Sequence, residues 1–556
     1  MKKLLSLLVL MTISANLWAV EAVIDGIKYE IVTKGKTATV LSNSYEGDIV
    51  IPETVVYNNV ECNVTAIKEY AFSSCKSLRS VVVPNSVTAI GNNVFYNSYV
   101  ESVTLGNGIS AISSNAFSGC IKLTDVNIPE TVTNIEYRAF QGCVNLASIS
   151  FPDNVTSIGN YAFSSCTGLT QIIIGDGVTT IGDGAFGGCT NLTSVAIGPN
   201  VVTIGNYAFQ SSGLTSVKIP NNVKSLGTRA FCECAKLLSV QLGSGLTSIP
   251  NYAFSSCPQL MSFTMREGIV SIGSYAFYQC SDLIVIKIPA TVVSIGGYAF
   301  SGCTKLYNVE LHEGLETISA NAFDGCTDLN FIQIPNSVTT IWESAFEDCS
   351  SLVTVMMGSG MAHIYSYAFR NCEALEDVYR EAVTPPSTGG SNPFANSYME
   401  FATLHVPAAS VATYKSQSPW NKFKEVVAID GTPEPEPPVL EKCATPTISY
   451  ADNMVTFSCA TEGVNFVYDI KVSGATGVSS QVALRPTYSI SVYATKSGYE
   501  DSDTAIETIS PTNNLKGDVD GDGEVDIADA VRIVNFVVGK IPALAPRFEW
   551  NLAEPE

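Results

Sequence analysis

A mainly β solenoid of about 14 stacked units of 23 residues, with a small β-sandwich behind it, is the fold class the sequence predicts. Three observations predict it. A phenylalanine recurs at Phe72, Phe95, Phe117, Phe140, Phe163, Phe186, Phe209, Phe231, Phe254, Phe277, Phe300, Phe323, Phe346 and Phe369, with eleven gaps of 23 residues and two of 22. Three residues after twelve of these stands a cysteine: Cys75, Cys120, Cys143, Cys166, Cys189, Cys234, Cys257, Cys280, Cys303, Cys326, Cys349 and Cys372. Within each unit the apolar pattern also changes period. In Thr327–Cys349, Ile332 and Ile334 alternate around Gln333, the mark of a half-buried strand, and Val338 and Ile341 then return three apart.

Taken in order, the first residues read as an export leader. Lys2 and Lys3 precede an apolar stretch from Leu4 to about Ile13, and small residues allow cleavage after Ala19 or Ala22. That stretch is too short to span a bilayer, no cysteine follows it as a lipid anchor, and no later segment is long and apolar enough to cross a membrane. The expectation is a secreted or cell-surface chain whose signal peptide is 1–19, or 1–22. Residues 23–60 lack the period but alternate like paired strands, as an N-terminal cap must in order to hide the open edge of the first rung.

The repeat proper occupies 61–380. One unit cannot fold alone. Fixing its backbone costs roughly 1–2 kcal/mol per residue, whereas burying each of its eight apolar side chains returns at most about 1.5–3 kcal/mol. Neighbouring rungs must supply the rest. After Phe95 and Phe209, Ser98 and Ser212 replace the cysteine, and Val100 and Leu214 arrive one step early: the turn is trimmed and the strands are kept. Equivalent cysteines in a stack point the same way, so a ladder of buried free thiols is expected rather than disulfides or zinc.

Residues 381–429 read as a C-terminal cap, with a strand near Ala402–Val406, a helical Val411–Ser416, and Trp420 and Phe423 to cover the last rung. Residues 430–440 contain Gly431-Thr-Pro-Glu-Pro-Glu-Pro-Pro438, a stiff linker. Residues 441–510 carry short alternating segments, including Met454–Ser458, Asn465–Tyr468 and Tyr488–Tyr493, at the spacing of a small sandwich. Cys443 and Cys459 flank its first hairpin, as a disulfide or as two buried thiols.

The units resemble the leucine-rich repeats of the bacterial surface protein A (BspA) type, on the pattern seen in Ile288-Pro289, Val293, Ile295-Gly296, Ala299-Phe300 and Cys303. The resemblance covers about residues 50–380. It implies a right-handed leucine-rich-repeat solenoid with a parallel sheet on one face. It also implies secreted or surface proteins, several of them adhesins that hold host matrix proteins or other cells, so the partner expected here is a host or microbial surface protein or glycan. The 441–510 segment resembles fibronectin-III-like spacers.

The sharpest short motif is Asp518-Val-Asp520-Gly-Asp522-Gly523-Glu524-Val-Asp526-Ile-Ala-Asp529. Asp518, Asp520, Asp522 and Asp529 stand at loop positions 1, 3, 5 and 12, Glu524 offers a backbone carbonyl, and Asp526 acts through water. Calcium is the cofactor this spacing suits, because it needs six or more hard oxygens around one cation. Ile527, Val531, Val534, Val537 and Val538 then form an apolar helical stripe. A loop followed by one helix, 515–540, resembles a dockerin. That family implies docking onto a cohesin-bearing scaffold, with Ile527 and Ala528 helping to read the partner, and hence a non-catalytic place in an extracellular polysaccharide-degrading assembly. Dockerins carry two such loops; this segment has one.

The net charge of −22 disfavours nucleic acid and anionic membranes. Tyrosines precede the Ala-Phe pair in seven units, and Tyr252, Tyr275 and Tyr298 fall on successive rungs, either as an exposed platform for a partner or as covers for their neighbours' turns. The outward strand positions (Thr104, Asn127, Ser150, Lys218, Gln241, Thr264, Lys287, Glu310, Gln333) form a mixed, mildly polar face. The three histidines, His312, His363 and His405, lie in different units, and no hydrolase motif is present, so no enzyme is expected.

Overall fold

The computed structural model describes residues 19–429, then 441–451, 454–461, 465–473, 487–495, 499–500, 503 and 505–509. It divides into two units, Met1–Pro437 and Pro438–Glu556. The first is a mainly β stack. Most rungs contribute a strand to a first parallel ladder, as Phe331–Ile334 does against Thr354–Met357, with Ile332 opposite Val355; the rung through Ser150 runs without one. It then contributes a two-residue strand to a second parallel ladder, as Thr340–Ile341 does against His363–Ile364. Of the pair that returns inward, Ile341 lies in this second strand, and Val338 is buried in the segment just before it.

Between the second strand and the first strand of the next rung runs the phenylalanine turn. Its ladder is the most regular of the three. Asn115, Phe117 and Gly119 donate backbone N–H bonds of 2.7–2.8 Å to Tyr137, Ala139 and Gln141 on the next rung, and the pattern recurs along the stack. The rings stack as one column from Phe72 to Phe394, with neighbouring centroids 4.9–5.7 Å apart and planes within 15°. Offset stacking of this kind adds to the burial of each ring. Seven of the fourteen turns carry a glycine three residues before the residue that precedes the phenylalanine, and at Gly205 it has a steric reason. A Cβ on Gly205 would lie 2.6 Å from the Asp183 backbone nitrogen, so a side chain at this rung would require the neighbouring backbone to shift.

The column runs one ring past the regular period. Phe394 lies 25 residues after Phe369, stacks on it at 5.2 Å, and is followed by strands Thr403–Val406 and Glu425–Ala428 in the first ladder. Trp420 and Phe423 meet Phe394 edge-on and close that end, and the helix Val411–Ser416 packs its buried Tyr414 against Trp420. At the other end Tyr45 tilts onto Phe72 at 4.7 Å. There the strands Val20–Ile24, Ile27–Val32, Thr37–Val40, Thr54–Tyr57 and Val60–Ile67 form a sheet, while Glu46–Val50 begins the first ladder.

The cysteines are free thiols, buried throughout the ladder. They also have a donor role that the spacing does not reveal. Eleven of them, from Cys120 to Cys372, donate Sγ–H to the carbonyl of the phenylalanine one rung back, at 3.0–3.3 Å. That carbonyl is buried and would otherwise keep one lone pair unused. In the trimmed rungs Ser98 and Ser212 sit 3.4 and 3.2 Å from Cys120 and Cys234 Sγ. In the last rung Ser397 takes over the donation, to Phe369. Burial pushes the Cys120 and Cys280 thiols up to about 12, so thiolate is scarce at neutral pH. Ellman's reagent is expected to leave the column thiols unlabelled in native protein and to label them all in guanidinium; rapid native labelling of several would contradict this placement.

The second unit contains two antiparallel groups: Thr447–Ala451 with Met454–Ser458, and Asn465–Ser473 with Thr487–Thr495 and Ala505–Ile509. Cys443 and Cys459 are not joined by a disulfide here, and Cys459 donates to the Ala444 carbonyl at 3.0 Å. Of the two forms left open by the sequence, the structure has the unbonded one.

Candidate functional site

Tyr252, Tyr275 and Tyr298 come together as a column of their own. The first two rings stack at 4.6 Å and 2°, the second pair at 4.7 Å and 6°. Arg229 lies 4.5 Å above Tyr252 and 5.9 Å from Tyr207, which extends the column over five rungs. Because each ring covers its neighbour's face, the column offers solvent its edges and hydroxyls. Burial, then the rings of Tyr298, Tyr252 and Tyr278, hold the Tyr275 phenol above its ordinary range.

All three tyrosines are left-handed, with φ of 57–59°. A bulky residue in that region is an outlier that costs on the order of 1–3 kcal/mol. The same rung position holds glycine at Gly184 (φ 59°) and asparagine at Asn115 and Asn321 (φ 54° and 58°), residues that tolerate it. Tyrosine is therefore not what the backbone selects; its ring is.

The outward strand face is exposed at Thr104, Asn127, Ser150, Lys218, Gln241, Thr264, Lys287 and Gln333, and half-buried at Glu310. Beyond Gln333 its character changes. Met356, Tyr379 and His405 occupy the same register on successive rungs. The Tyr379 and His405 rings stack at 4.2 Å, and His405 Nε2 lies 2.7 Å from Asp377 Oδ1. The irregular 26-residue offset hides this pair from a search at period 23. A second pair, Trp342 on Tyr365 at 4.9 Å, does obey the period and was within reach of it. His363 bonds to Ser387 Oγ through Nδ1 at 2.6 Å, so the histidines do not converge on one site.

Beside the phenylalanine column, Asp324, Glu347 and Arg370 follow one another on consecutive rungs, each one residue after its phenylalanine. Arg370 pairs with Glu347 at 3.2 Å, while Asp324 accepts only a 3.2 Å bond from Ser301 Oγ among its described side-chain contacts. Burial pushes Asp324 up to about 6, with Glu347 and Asp348 adding to the rise. The folded group holds its proton more tightly than the unfolded one. Its contribution is therefore intact below about pH 4 and is lost as pH rises through about 6. Asp324→Asn is expected to raise the melting temperature at pH 7.5 and to leave it unchanged at pH 3.5. A gain that persists at low pH would refute this.

The calcium-loop residues Asp518, Asp520, Asp522, Glu524, Asp526 and Asp529, with Ile527 and Ala528, lie outside the described residues. Among the described residues, no helix is long and apolar enough to cross a membrane.

The model of the BspA type leucine-rich repeat region matches residues 54–170, 156–284 and 270–399. The chain belongs to the BspA-type leucine-rich repeat family. A leucine-rich repeat protein from Bacteroides ovatus aligns with 74 % of this BspA-type chain and 100 % of its own, at 26 % identity and a TM-score of 0.52. A leucine-rich cell surface protein from Faecalibacterium prausnitzii aligns with 65 % of this chain and 94 % of its own, at 28 % identity and a TM-score of 0.41. The pneumococcal vaccine antigen PcpA aligns with 74 % and 99 %, at 16 % identity and a TM-score of 0.37. No curated protein matches the sequence.

Proposed function

We propose that this BspA-type protein is an exported binding protein whose solenoid engages a host or microbial surface protein or glycan. The observation that carries the reading is the tyrosine column. Seven rungs hold a left-handed tyrosine where glycine or asparagine would cost less, and Tyr252, Tyr275 and Tyr298 are consecutive and stack; strain of this kind collects where a surface has work to do. The leader at 1–19 and the surface proteins of the family agree with export. The column meets its partner through hydroxyl edges, which suits hydrogen bonding along a polar surface better than ring-face stacking.

Arrays of matrix proteins and surface glycans, probed with full-length protein and with Tyr252→Asn/Tyr275→Asn/Tyr298→Asn, test this. Asparagine already serves at this rung position, so the triple variant is expected to keep the fold while losing a wild-type partner. Equal binding by both proteins, or no binding by either, would refute it.

A second reading rests on the Asp-rich loop: residues 515–540 bind calcium and dock to a cohesin-bearing scaffold of a polysaccharide-degrading assembly. Calorimetric titration with calcium is expected to show one site that Asp518→Ala/Asp522→Ala removes. Calcium-dependent retention on immobilised cohesin would establish docking, and no retention with or without chelator would dismiss it.

A further inference from the structure

The last regular rung and the irregular one after it border a shallow, open cleft of about 590 Å³, lined by Glu373, Glu376, Asp377, Tyr398, Phe401 and Thr403 among others. Its aromatic residues are out of place. In earlier rungs the apolar residue after the turn points inward, as Leu375 does; here Met399 is buried while Phe401 is 73 % exposed and Tyr398 47 % exposed. Tyr398 is left-handed as well, with φ 46°. The two rings stand edge to face at 6.4 Å, so neither fully covers the other. An exposed phenylalanine costs solvation that the fold does not recover, and exposed apolar patches mark contact surfaces.

We propose that this cleft receives a cationic side chain, a guanidinium or ammonium group, displayed by a partner protein. The lining side chains carry three carboxylates and no basic group. Asp377 is shared with His405, whereas Glu373 and Glu376 are exposed and have no cation within ion-pair reach among the described residues. Two open rings beside unpaired carboxylates form a cation–π and ion-pair seat at once. The chain's own Pro/Glu linker is acidic and would be repelled, and the net charge of −22 draws basic partners to the surface. A neutral glycan would need donors as well as acceptors, and the lining side chains supply only the Thr403 and Tyr398 hydroxyls as donors. The cleft is independent of the tyrosine column, so either site can fail its test without the other.

Calorimetric titration of the full-length protein with acetyl-Gly-Arg-Gly-Arg-Gly-amide tests it, at about 0.15 M ionic strength, where charges beyond about 8 Å are screened. Binding is expected for the arginine peptide and absent for its citrulline counterpart and for cellohexaose. Phe401→Ser and Glu376→Gln, both at exposed side chains, are each expected to weaken binding about tenfold, the size of one such contact. Glu69→Gln, an exposed acid at the opposite end of the repeats, is expected to leave it unchanged. Equal weakening by Glu69→Gln would show diffuse attraction to an acidic surface and overturn the proposal. So would wild-type affinity in Phe401→Ser, or capture of cellohexaose in place of the peptide.

Discussion

Phe231→Ala is expected to lower the unfolding free energy by about 3–5 kcal/mol, the range for deleting a buried aromatic ring. Phe231 is completely buried and stacks on Phe209 at 5.2 Å and on Phe254 at 5.7 Å, so the substitution removes two ring contacts as well as one buried side chain. The cavity cannot collapse easily. The Phe231 N–H is held by the Ala253 carbonyl, and its own carbonyl accepts from Cys257 Sγ, which fixes the turn on both sides of the gap. In a stack whose rungs touch only their neighbours, stability is a sum of rung and interface terms. A weak interface in mid-column should therefore split a single urea transition into two. Equilibrium unfolding followed by fluorescence and circular dichroism checks this. A loss under about 1 kcal/mol, with one sharp transition, would mean that the column is not a principal source of cohesion.

Trp420→Ala removes a side chain of similar size but at an end, and its outcome should differ in place rather than in amount. Trp420 is 1 % exposed and packs edge-on against Phe394 and Tyr414. Its loss, again worth about 3–5 kcal/mol locally, uncovers the final ring. Amide protection is expected to fall in residues 387–428 and to persist around Phe231, because end rungs can open without their distant neighbours. Hydrogen exchange read by mass spectrometry would show it. A uniform loss of protection would make the molecule one cooperative block and contradict the rung-by-rung account.

Much of this was legible in the chain. The positions of Phe72 to Phe369 and of the twelve column cysteines follow from the period, and so does the trimming at Ser98 and Ser212, because a strict repeat forces equivalent residues into equivalent environments. What the period could not reveal depends on turn conformation or on departures from it. That the thiols are donors requires knowing where the phenylalanine carbonyls point. Phe394, 25 residues on, and the Tyr379–His405 pair, offset by 26, escape a search at 23. The spacing left Tyr252, Tyr275 and Tyr298 as a platform for a partner or as covers for their neighbours' turns; that their rings stack on one another at 4.6–4.7 Å depends on side-chain rotamers that a period does not specify.

In-register pairing of one rung with the next has a consequence for inheritance. Ile295 sits opposite Ile272 on one side and Ile318 on the other, each 23 residues away. Any unit can thus follow any other, and unequal recombination between such units would insert or delete whole rungs without a mismatched seam. Alleles that differ by complete units are then expected to remain foldable, giving lineages longer or shorter molecules in increments of about 5 Å.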